Sequence, residues 1–505
     1  MISINDIEYL ALEGGGGKGV AYLGAIEVLE EQGLIPFGAK YSSKIKGISG
    51  SSAGAITALL LSIGLNTEEI KEELKPENNN FSDFFDIPHS GIYKAVFPNP
   101  KNPSVALPGY TVDKIIPDKN KGKGTIQVGY YFDTSLDKSN DINLKAKKLF
   151  NDRRNFFRDF LVAILPVRKT IAKSKNPILM AVSKNDNFLT EYIYNILHDR
   201  GIFPGITVRN YFITILAKHL PKKYPTHFSN LNAQEIIEKC QLLTFSDLFQ
   251  ITKVDLKVVS TNNTLGKPVF FSLNRTPNFP IIEAVSMSMA IPGVFKPIFN
   301  GYNLFTAKDT ADPVVKRTNE DYIGFFVDGG TINNFPLHAF DDNADCNLNP
   351  NVLGIRLTSG SDPKKQKTWH NELENKYNSK GLEKIFAEKG LKPEIKNKWT
   401  PSGDTNSFIG KNIKTYSVEY PQEMDGFLKS NIGSWISKIL SSLMYYSEDG
   451  QIRMPEEKEQ VLELYSYTID TLNFSPDEAE KEYVIEQAKN TTLDFFNLPK
   501  NEKKK

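Results

Sequence analysis

A glycine-rich segment near the start of the chain is the feature that most constrains its fold. Residues 14–19 read GGGGKG, so five of these six positions carry no side chain that could pack. The apolar run "IEYLALE" before the segment has the length of a strand, and "AYLGAIEVLEEQG" after it has the apolar spacing of a helix. A glycine-rich turn between a strand and a helix presents backbone amides at the helix N-terminus. The sequence therefore predicts an α/β fold in which this turn faces an anionic group.

Two nucleotide-binding motifs can be compared with this turn. Gly14, Gly16 and Gly19 match the G-x-G-x-x-G pattern of dinucleotide-binding folds. That fold also needs an acidic residue after the next strand, which we predict at about Lys44–Ile48, and no carboxylate follows it closely. The P-loop pattern fails as well, because Lys18 is followed by glycine instead of Ser or Thr. A nucleotide- or dinucleotide-binding protein that uses this loop is kept as an alternative function.

The stretch "GISGSSAGA", which follows that next strand, contains a nucleophile motif. G-x-S-x-G requires glycine two positions before and two positions after the serine, and only Ser52, between Gly50 and Gly54, meets this condition. The motif holds a serine on a sharp strand-to-helix turn, where flanking side chains would collide with neighbouring backbone. Because both turns follow strands of a parallel sheet, we expect them at the same edge. The glycine turn can then expose its amides to a developing oxyanion.

A carboxylate with a similar setting lies far downstream, in "FFVDGGTINNFPL" at residues 325–337. Asp328 ends a predicted strand and is followed by Gly329 and Gly330, so its side chain can project into a site without crowding it. The same three residues also suit an ordinary turn. Whether Asp328 is a site residue or part of a simple turn therefore depends on which other residues lie near it in the fold.

The segments "EGGGGKG", "GISGSSAGA" and "VDGGTINNFP", in this order, resemble the patatin-like phospholipases. "LLTFSDLFQ" and "AVSMSMAIPGVFKPI" are also similar to segments of that family, so the resemblance covers roughly residues 6–75 and 240–345. It implies a three-layer α/β/α sandwich with a mostly parallel central sheet. It also implies a serine lipid acyl hydrolase of phospholipase A type, which cleaves fatty-acyl esters of phospholipids without a cofactor or a catalytic metal.

The resemblance carries roles over to individual residues. Ser52 matches the nucleophile, Asp328 matches its partner in a dyad without histidine, and Gly50 and Gly54 flank the nucleophile in its elbow. Glu13 stands where the family usually has aspartate. The oxyanion loop corresponds to six consecutive residues, Gly14, Gly15, Gly16, Gly17, Lys18 and Gly19.

Two alternatives to this assignment are kept. A histidine triad would follow the order Ser, acid, His, and of the six histidines only His338 and His370 lie beyond Asp328. A non-catalytic scaffold with a patatin-like fold is the second alternative, although such a protein would not need both Ser52 and Asp328 intact.

Composition limits the partners and the location. The chain has 61 Lys and Arg against 60 Asp and Glu, which argues against nucleic acid as a general partner. Its two cysteines, Cys240 and Cys346, are typical of reduced thiols. The first strand begins by about residue 7, which leaves no room for a cleavable signal peptide. We therefore expect a cytoplasmic or peripheral membrane protein, with secretion by a signal-less route as a further option.

The pattern along the chain predicts an interrupted catalytic core. We assign the patatin-like core to residues 1–75 and 235–360, a mostly helical cap or lid to the insertion 76–234, and a mainly helical C-terminal region to 361–505. Within the insertion, residues 145–184 carry eleven Lys or Arg against two Asp, with apolar residues at helical spacing. This segment is interpreted either as a lid that contacts anionic membranes or as a cap with a solvated basic face. Since some bacterial patatin-like toxins need a host activator, a protein activator is a further candidate partner.

Overall fold

The computed structural model describes the chain in separate ranges. These are residues 2–41, 43–74, 200–203, 205–300, 321–341, 348–358, 455–467 and 478–499, with positions 84, 469 and 476 and three strands between residues 93 and 130. The basic segment 145–184, Cys346 and His370 lie outside the described residues.

Five adjacent parallel strands form one side of the main sheet. In spatial order they are β13 (Val461–Tyr465), β12 (Val352–Thr358), β1 (Tyr9–Leu12), β2 (Gly47–Ser51) and β7 (Asp255–Asn262). The pairing of β1 with β2 runs from Tyr9 opposite Gly47 to Leu12 opposite Gly50. Because the two strands are parallel and in this register, the turns that follow them emerge at the same edge of the sheet.

Antiparallel strands extend the sheet beyond β7. They are β8 (Lys267–Ser272) and β11 (Gly324–Val327), which both pair with β7, and β10 (Ile298–Asn300), which pairs with β11. The strand β3 (Tyr93–Lys94) pairs in parallel with β10. Within the described ranges the sheet has nine strands, mixed but mostly parallel, which confirms the predicted α/β fold.

Eight helices are described, and those nearest the sheet are almost wholly buried. They are α1 (Tyr22–Glu31), α2 (Ala53–Ser62), α3 (Thr67–Glu73), α4 (Ile206–Lys223), α5 (Ala233–Gln241), α6 (Phe245–Thr252), α7 (Ile281–Ser288) and α8 (Glu478–Phe495). All eight residues of α7 are buried, including Glu283, whose carboxylate pairs with the buried Arg209. In the described part of the chain, no helix is both long enough and apolar enough to cross a bilayer.

Two strand pairs lie outside the main sheet, and a 3₁₀ turn precedes α1. The strands β4 (Tyr110–Pro117) and β5 (Gly124–Tyr130) form an antiparallel pair, and β6 (Gly201–Phe203) pairs with β9 (Gly293–Phe295). A 3₁₀ turn at Gly16–Ala21 leads from the glycine-rich segment into α1.

The end of the chain returns to its beginning. β13 extends the sheet beyond β12, and α8 packs against α1 so closely that a Cβ at Gly24 would lie 2.2 Å from the carbonyl oxygen of Ile485. Lys489 Nζ lies 2.6 Å from Glu27 Oε1 and 2.5 Å from Glu31 Oε1 across the same contact. The predicted C-terminal region thus contributes one strand and one helix to the core, while the domain boundaries themselves stay predictions.

Candidate active site

Ser52 occupies a sharp turn between β2 and α2. Its backbone has φ 49° and ψ −120°, a conformation that side-chain-bearing residues rarely adopt. The flanking glycines are required by close backbone contacts. A Cβ at Gly50 would lie 2.3 Å from the carbonyl carbon of Gly54, and a Cβ at Gly54 would lie 2.4 Å from the carbonyl oxygen of Leu12. The segment therefore has the strained geometry that the G-x-S-x-G spacing predicts.

Asp328 leaves the end of β11 and caps the short turn that follows. Its Oδ1 accepts a hydrogen bond from the amide of Gly330 at 2.7 Å, and its own amide donates to the carbonyl oxygen of Ala290 at 2.9 Å. The turn also lies tightly on β7, because a Cβ at Gly329 would be 2.4 Å from the carbonyl oxygen of Val259. These contacts fix the direction in which the carboxylate points.

The electrostatics of Asp328 suit a proton acceptor. The residue is 6% exposed, and this burial raises the pKa of its carboxyl from 3.8 to about 7. Interaction with the Ser52 hydroxyl and with the Gly330 amide lowers the pKa in part, so the Ser52 and Asp328 side chains are neighbours. Oδ2 is buried without a hydrogen bond of regular length and angle to the described residues. A loose contact of this kind is common in catalytic pairs without bound substrate.

The glycine turn lies directly beside the nucleophile. A Cβ at Gly14 would be 3.0 Å from Ser52 Cβ and 2.3 Å from Asn334 Oδ1. The amide of Gly14 donates to the carbonyl oxygen of Asn334 at 2.8 Å, so this amide already has a partner. The first hydrogen bond of the following turn runs from the Lys18 amide to the carbonyl oxygen of Gly15 at 3.2 Å. The amides of Gly15–Gly17 come before this bond, at the start of the turn, where backbone N–H groups have no partner within the turn itself.

Two polar side chains secure the start of the glycine turn. Glu13 is 2% exposed, and its Oε2 accepts a hydrogen bond from the amide of Leu357 in β12 at 2.6 Å. Asn334 Nδ2 donates to Glu13 Oε1 at 3.3 Å and to the carbonyl oxygen of Gly14 at 3.1 Å. Glu13 therefore joins the turn to β12, and Asn334 joins it to the segment that carries Asp328.

Ser288, at the end of α7, also contacts the nucleophile. Its Oγ accepts a hydrogen bond from the Ser52 amide at 2.9 Å. Ser288 lies within the segment "AVSMSMAIPGVFKPI", but nothing in the sequence indicates that its hydroxyl contacts Ser52. The same is true of Asn334, whose place beside Gly14 depends on tertiary contacts.

His338 lies away from the Ser52–Asp328 pair. Its Nδ1 is 2.6 Å from Asp341 Oδ2, and its Nε2 is 3.4 Å from Glu457 Oε2. Phe340, in the same turn, stacks on Tyr9 at the first residue of β1, with ring centroids 4.6 Å apart. Ser52 instead follows the last residue of β2, so the two sites are at opposite ends of the parallel strands.

No metal centre is found in the described ranges, where no three His, Cys, Asp or Glu side chains are grouped to hold an ion. Lys18 is partly exposed on the 3₁₀ turn, next to the amides of Gly15–Gly17. The described site therefore consists of a hydroxyl, a carboxylate and a cluster of backbone amides.

Comparison with known proteins gives one family and several structural neighbours. The family model of patatin-like phospholipases matches residues 10–341. Among solved structures, VipD from Legionella pneumophila is 17% identical, with a TM-score of 0.39; the alignment covers 97% of this chain and 67% of VipD. The ExoU–SpcU complex of the type III secretion system of Pseudomonas aeruginosa gives 15% identity, a TM-score of 0.34 and coverage of 97% of this chain and 51% of the matched chain. Among curated proteins, none matches.

Proposed function

Because the chain belongs to the patatin-like phospholipase family and is thus a lipid acyl hydrolase of the carboxylic ester hydrolase class, we propose that it cleaves fatty-acyl esters of phospholipids with a Ser52–Asp328 dyad. The observation that carries this proposal is the contact between the Ser52 hydroxyl and a buried carboxyl whose pKa is about 7. A carboxylate with an ordinary pKa is a poor base toward a serine hydroxyl, whereas one that titrates near neutrality is matched to this task.

The proposed reaction has two steps that use the same groups. Asp328 accepts the proton of Ser52 while Oγ attacks the acyl carbonyl, and the amides of Gly15–Gly17 stabilise the oxyanion. Asp328 then returns the proton to the departing alcohol, which leaves an acyl group on Ser52. Water, activated by Asp328, releases the fatty acid and restores the serine. Since Asp328 must be ionised, activity is expected to rise with pH with a midpoint near the pKa of about 7.

A fluorophosphonate probe tests the nucleophile directly, because it labels serines whose hydroxyl is activated. We expect the full-length protein to be labelled at Ser52 and Ser52→Ala to be unlabelled. Ser51→Ala is the matched control, since this neighbouring serine is buried and its Oγ has no hydrogen-bond partner in the described ranges. Labelling that persists in Ser52→Ala, or that is lost in Ser51→Ala only, would contradict the assignment.

Replacing His338 separates a dyad from a triad. The ring nitrogens of His338 face Asp341 and Glu457. We therefore expect His338→Ala to hydrolyse a chromogenic short-chain ester at a rate within about threefold of the original protein, which is a small change compared with the loss of a catalytic residue. Steady-state kinetics at pH 8 measure this. A loss as large as that of Ser52→Ala would instead indicate a catalytic histidine.

The remaining predictions about partners concern the membrane. A phospholipid substrate requires contact with a lipid surface, so we propose that the protein binds membranes peripherally, without assigning a head-group preference. Sedimentation with liposomes that contain or lack anionic lipid distinguishes a charge-dependent contact from a general one.

Activity measured with and without cell extract tests the predicted protein activator.

A further inference from the structure

The backbone of Ser52 needs a partner outside its own turn. With φ 49° and ψ −120° the residue lies outside the regular strand and helix conformations, so its amide does not continue the hydrogen-bond ladder of either β2 or α2. The amide is satisfied by Ser288 Oγ at 2.9 Å. Ser52 is 7% exposed and Ser288 is fully buried, so water cannot easily replace this bond. An amide left unpaired at such a place would favour relaxation of the strained turn.

The segment at the same end of α7 also bonds to the backbone of Asp328, the other member of the dyad. The carbonyl oxygen of Ala290, two residues after Ser288, accepts the amide hydrogen of Asp328 at 2.9 Å. One short stretch, Ser288–Ala290, thus bonds to the backbone of both the nucleophile and its base. Neither bond involves an atom that reacts. Both fix the backbone from which a reacting side chain extends.

We propose that Ser288 is a positioning residue, which holds the strained backbone of Ser52 in register with Asp328 through the bond from the Ser52 amide to Ser288 Oγ. The proposal rests on the proposed function, because it gives Ser288 a part in the dyad reaction. A misplacement of the nucleophile by about 1 Å or less lowers the rate steeply, since attack requires a narrow range of distance and direction. We therefore expect loss of the bond to lower the rate of attack more than it changes substrate binding.

Ser286 supplies a matched control on the same helix. It is 4% exposed, it lies two residues before Ser288, and its Oγ has no hydrogen-bond partner in the described part of the chain. Ser286→Ala and Ser288→Ala therefore remove the same atom from the same buried helix. Only the second removes the acceptor of the Ser52 amide.

The test compares these two variants of the full chain by ester hydrolysis and fluorophosphonate labelling. For Ser288→Ala we expect kcat and the labelling rate to fall by roughly 10- to 100-fold, with KM changed by less than about threefold. The acid limb of the pH–rate profile should also move to higher pH, because the Ser52 hydroxyl that helps to keep Asp328 ionised is displaced. Ser286→Ala should leave all three quantities as they are. A Ser288→Ala protein with unchanged kcat and labelling, or with losses equal to those of Ser286→Ala, overturns the proposal.

Two further measurements keep the result interpretable. Ser288→Thr keeps a hydroxyl and should recover most of the labelling rate; failure to recover in a folded Ser288→Thr protein counts against the hydrogen bond. Amide hydrogen exchange over residues 47–56 should become faster in Ser288→Ala and stay unchanged in Ser286→Ala. This readout does not depend on catalysis. If the original protein is not labelled at Ser52, the proposed function fails, whereas unchanged exchange at Ser52 in Ser288→Ala shows that the positioning role fails.

Discussion

Asp328→Asn is expected to lose hydrolytic activity and to gain stability at the same time. Asparagine cannot accept the proton of Ser52, so kcat should fall by roughly 10⁴-fold or more, as for the loss of a catalytic-group member in serine hydrolases. The same change removes a carboxyl that is 6% exposed and whose pKa is raised by burial from 3.8 to about 7. At pH 8 this buried charge costs about 4 kcal/mol, from the difference in pKa between the folded and unfolded states.

The sign of the stability effect depends on pH. Between pH 3.8 and about 7 the unfolded chain has lost the proton of Asp328 while the folded protein keeps it. The free energy of unfolding therefore falls as the pH rises through this window and is level above it. The asparagine of the variant has no proton to lose. The variant and the original protein should thus be similar below pH 4, and the variant should be more stable by the full amount above pH 7.

Urea unfolding at pH 4 and pH 8, together with ester hydrolysis at pH 8, measures both effects. Asp341→Asn is a suitable control, because Asp341 contacts His338 at 2.6 Å and lies outside the Ser52–Asp328 pair. This control should keep its activity and should not become more stable at pH 8. An Asp328→Asn protein that loses activity and stability together would indicate that the carboxylate supports the fold.

Within the glycine turn, Gly14→Ala is expected to be far more damaging than Gly19→Ala. A methyl group at Gly14 would lie 2.3 Å from Asn334 Oδ1 and 3.0 Å from Ser52 Cβ, so either the nucleophile or the turn must move. At Gly19 the nearest atom is Ala53 Cβ at 3.4 Å, which is ordinary contact. Displacing the amides of the turn should lower kcat by roughly 10²- to 10³-fold, the loss that follows removal of one oxyanion donor. Gly19→Ala should stay within about fivefold of the original protein.

Ester hydrolysis, fluorophosphonate labelling and thermal unfolding of the two variants measure this difference. Each variant adds one methyl group to the same turn, so a general effect of lost glycine flexibility would appear in both. Equal losses would mean that flexibility of the turn, and not its contact with Ser52 and Asn334, makes glycine necessary.

The local parts of the site could be predicted from the sequence. The spacing of Gly50, Ser52 and Gly54 is itself the signature of a strand-to-helix turn, so a short window of sequence is sufficient to predict it, although the close contact of Gly54 is with Leu12 in β1. Asp328 follows a strand end, but no local pattern places it near Ser52. Its proximity to Ser52 could be predicted only from the family resemblance, which depends on the order of the motifs along the chain.

Other parts depend on contacts that no short window contains. The sequence predicts the strand before Ser52 at about Lys44–Ile48, but the strand runs over Gly47–Ser51. Pairing with β1 on one side and β7 on the other includes small, buried serines in the sheet. Ser288 and Asn334 likewise act through tertiary hydrogen bonds. The contribution of β13 to the sheet was also missed, since a single five-residue strand gives only a weak signal in the sequence.

The position of β13 and α8 has a consequence for when the hydrolase can act. The segments that carry Ser52 and Asp328 leave the ribosome well before residues 461–495, which cover β12 and the backbone of α1 at Gly24. Until those residues are translated, β12, which binds Glu13, is an unpaired edge strand, and α1, which follows the glycine turn, lacks the helix that packs on it. We therefore expect the glycine turn to reach its final geometry, and hydrolysis to begin, only after residues 461–495 have been translated and have packed on β12 and α1.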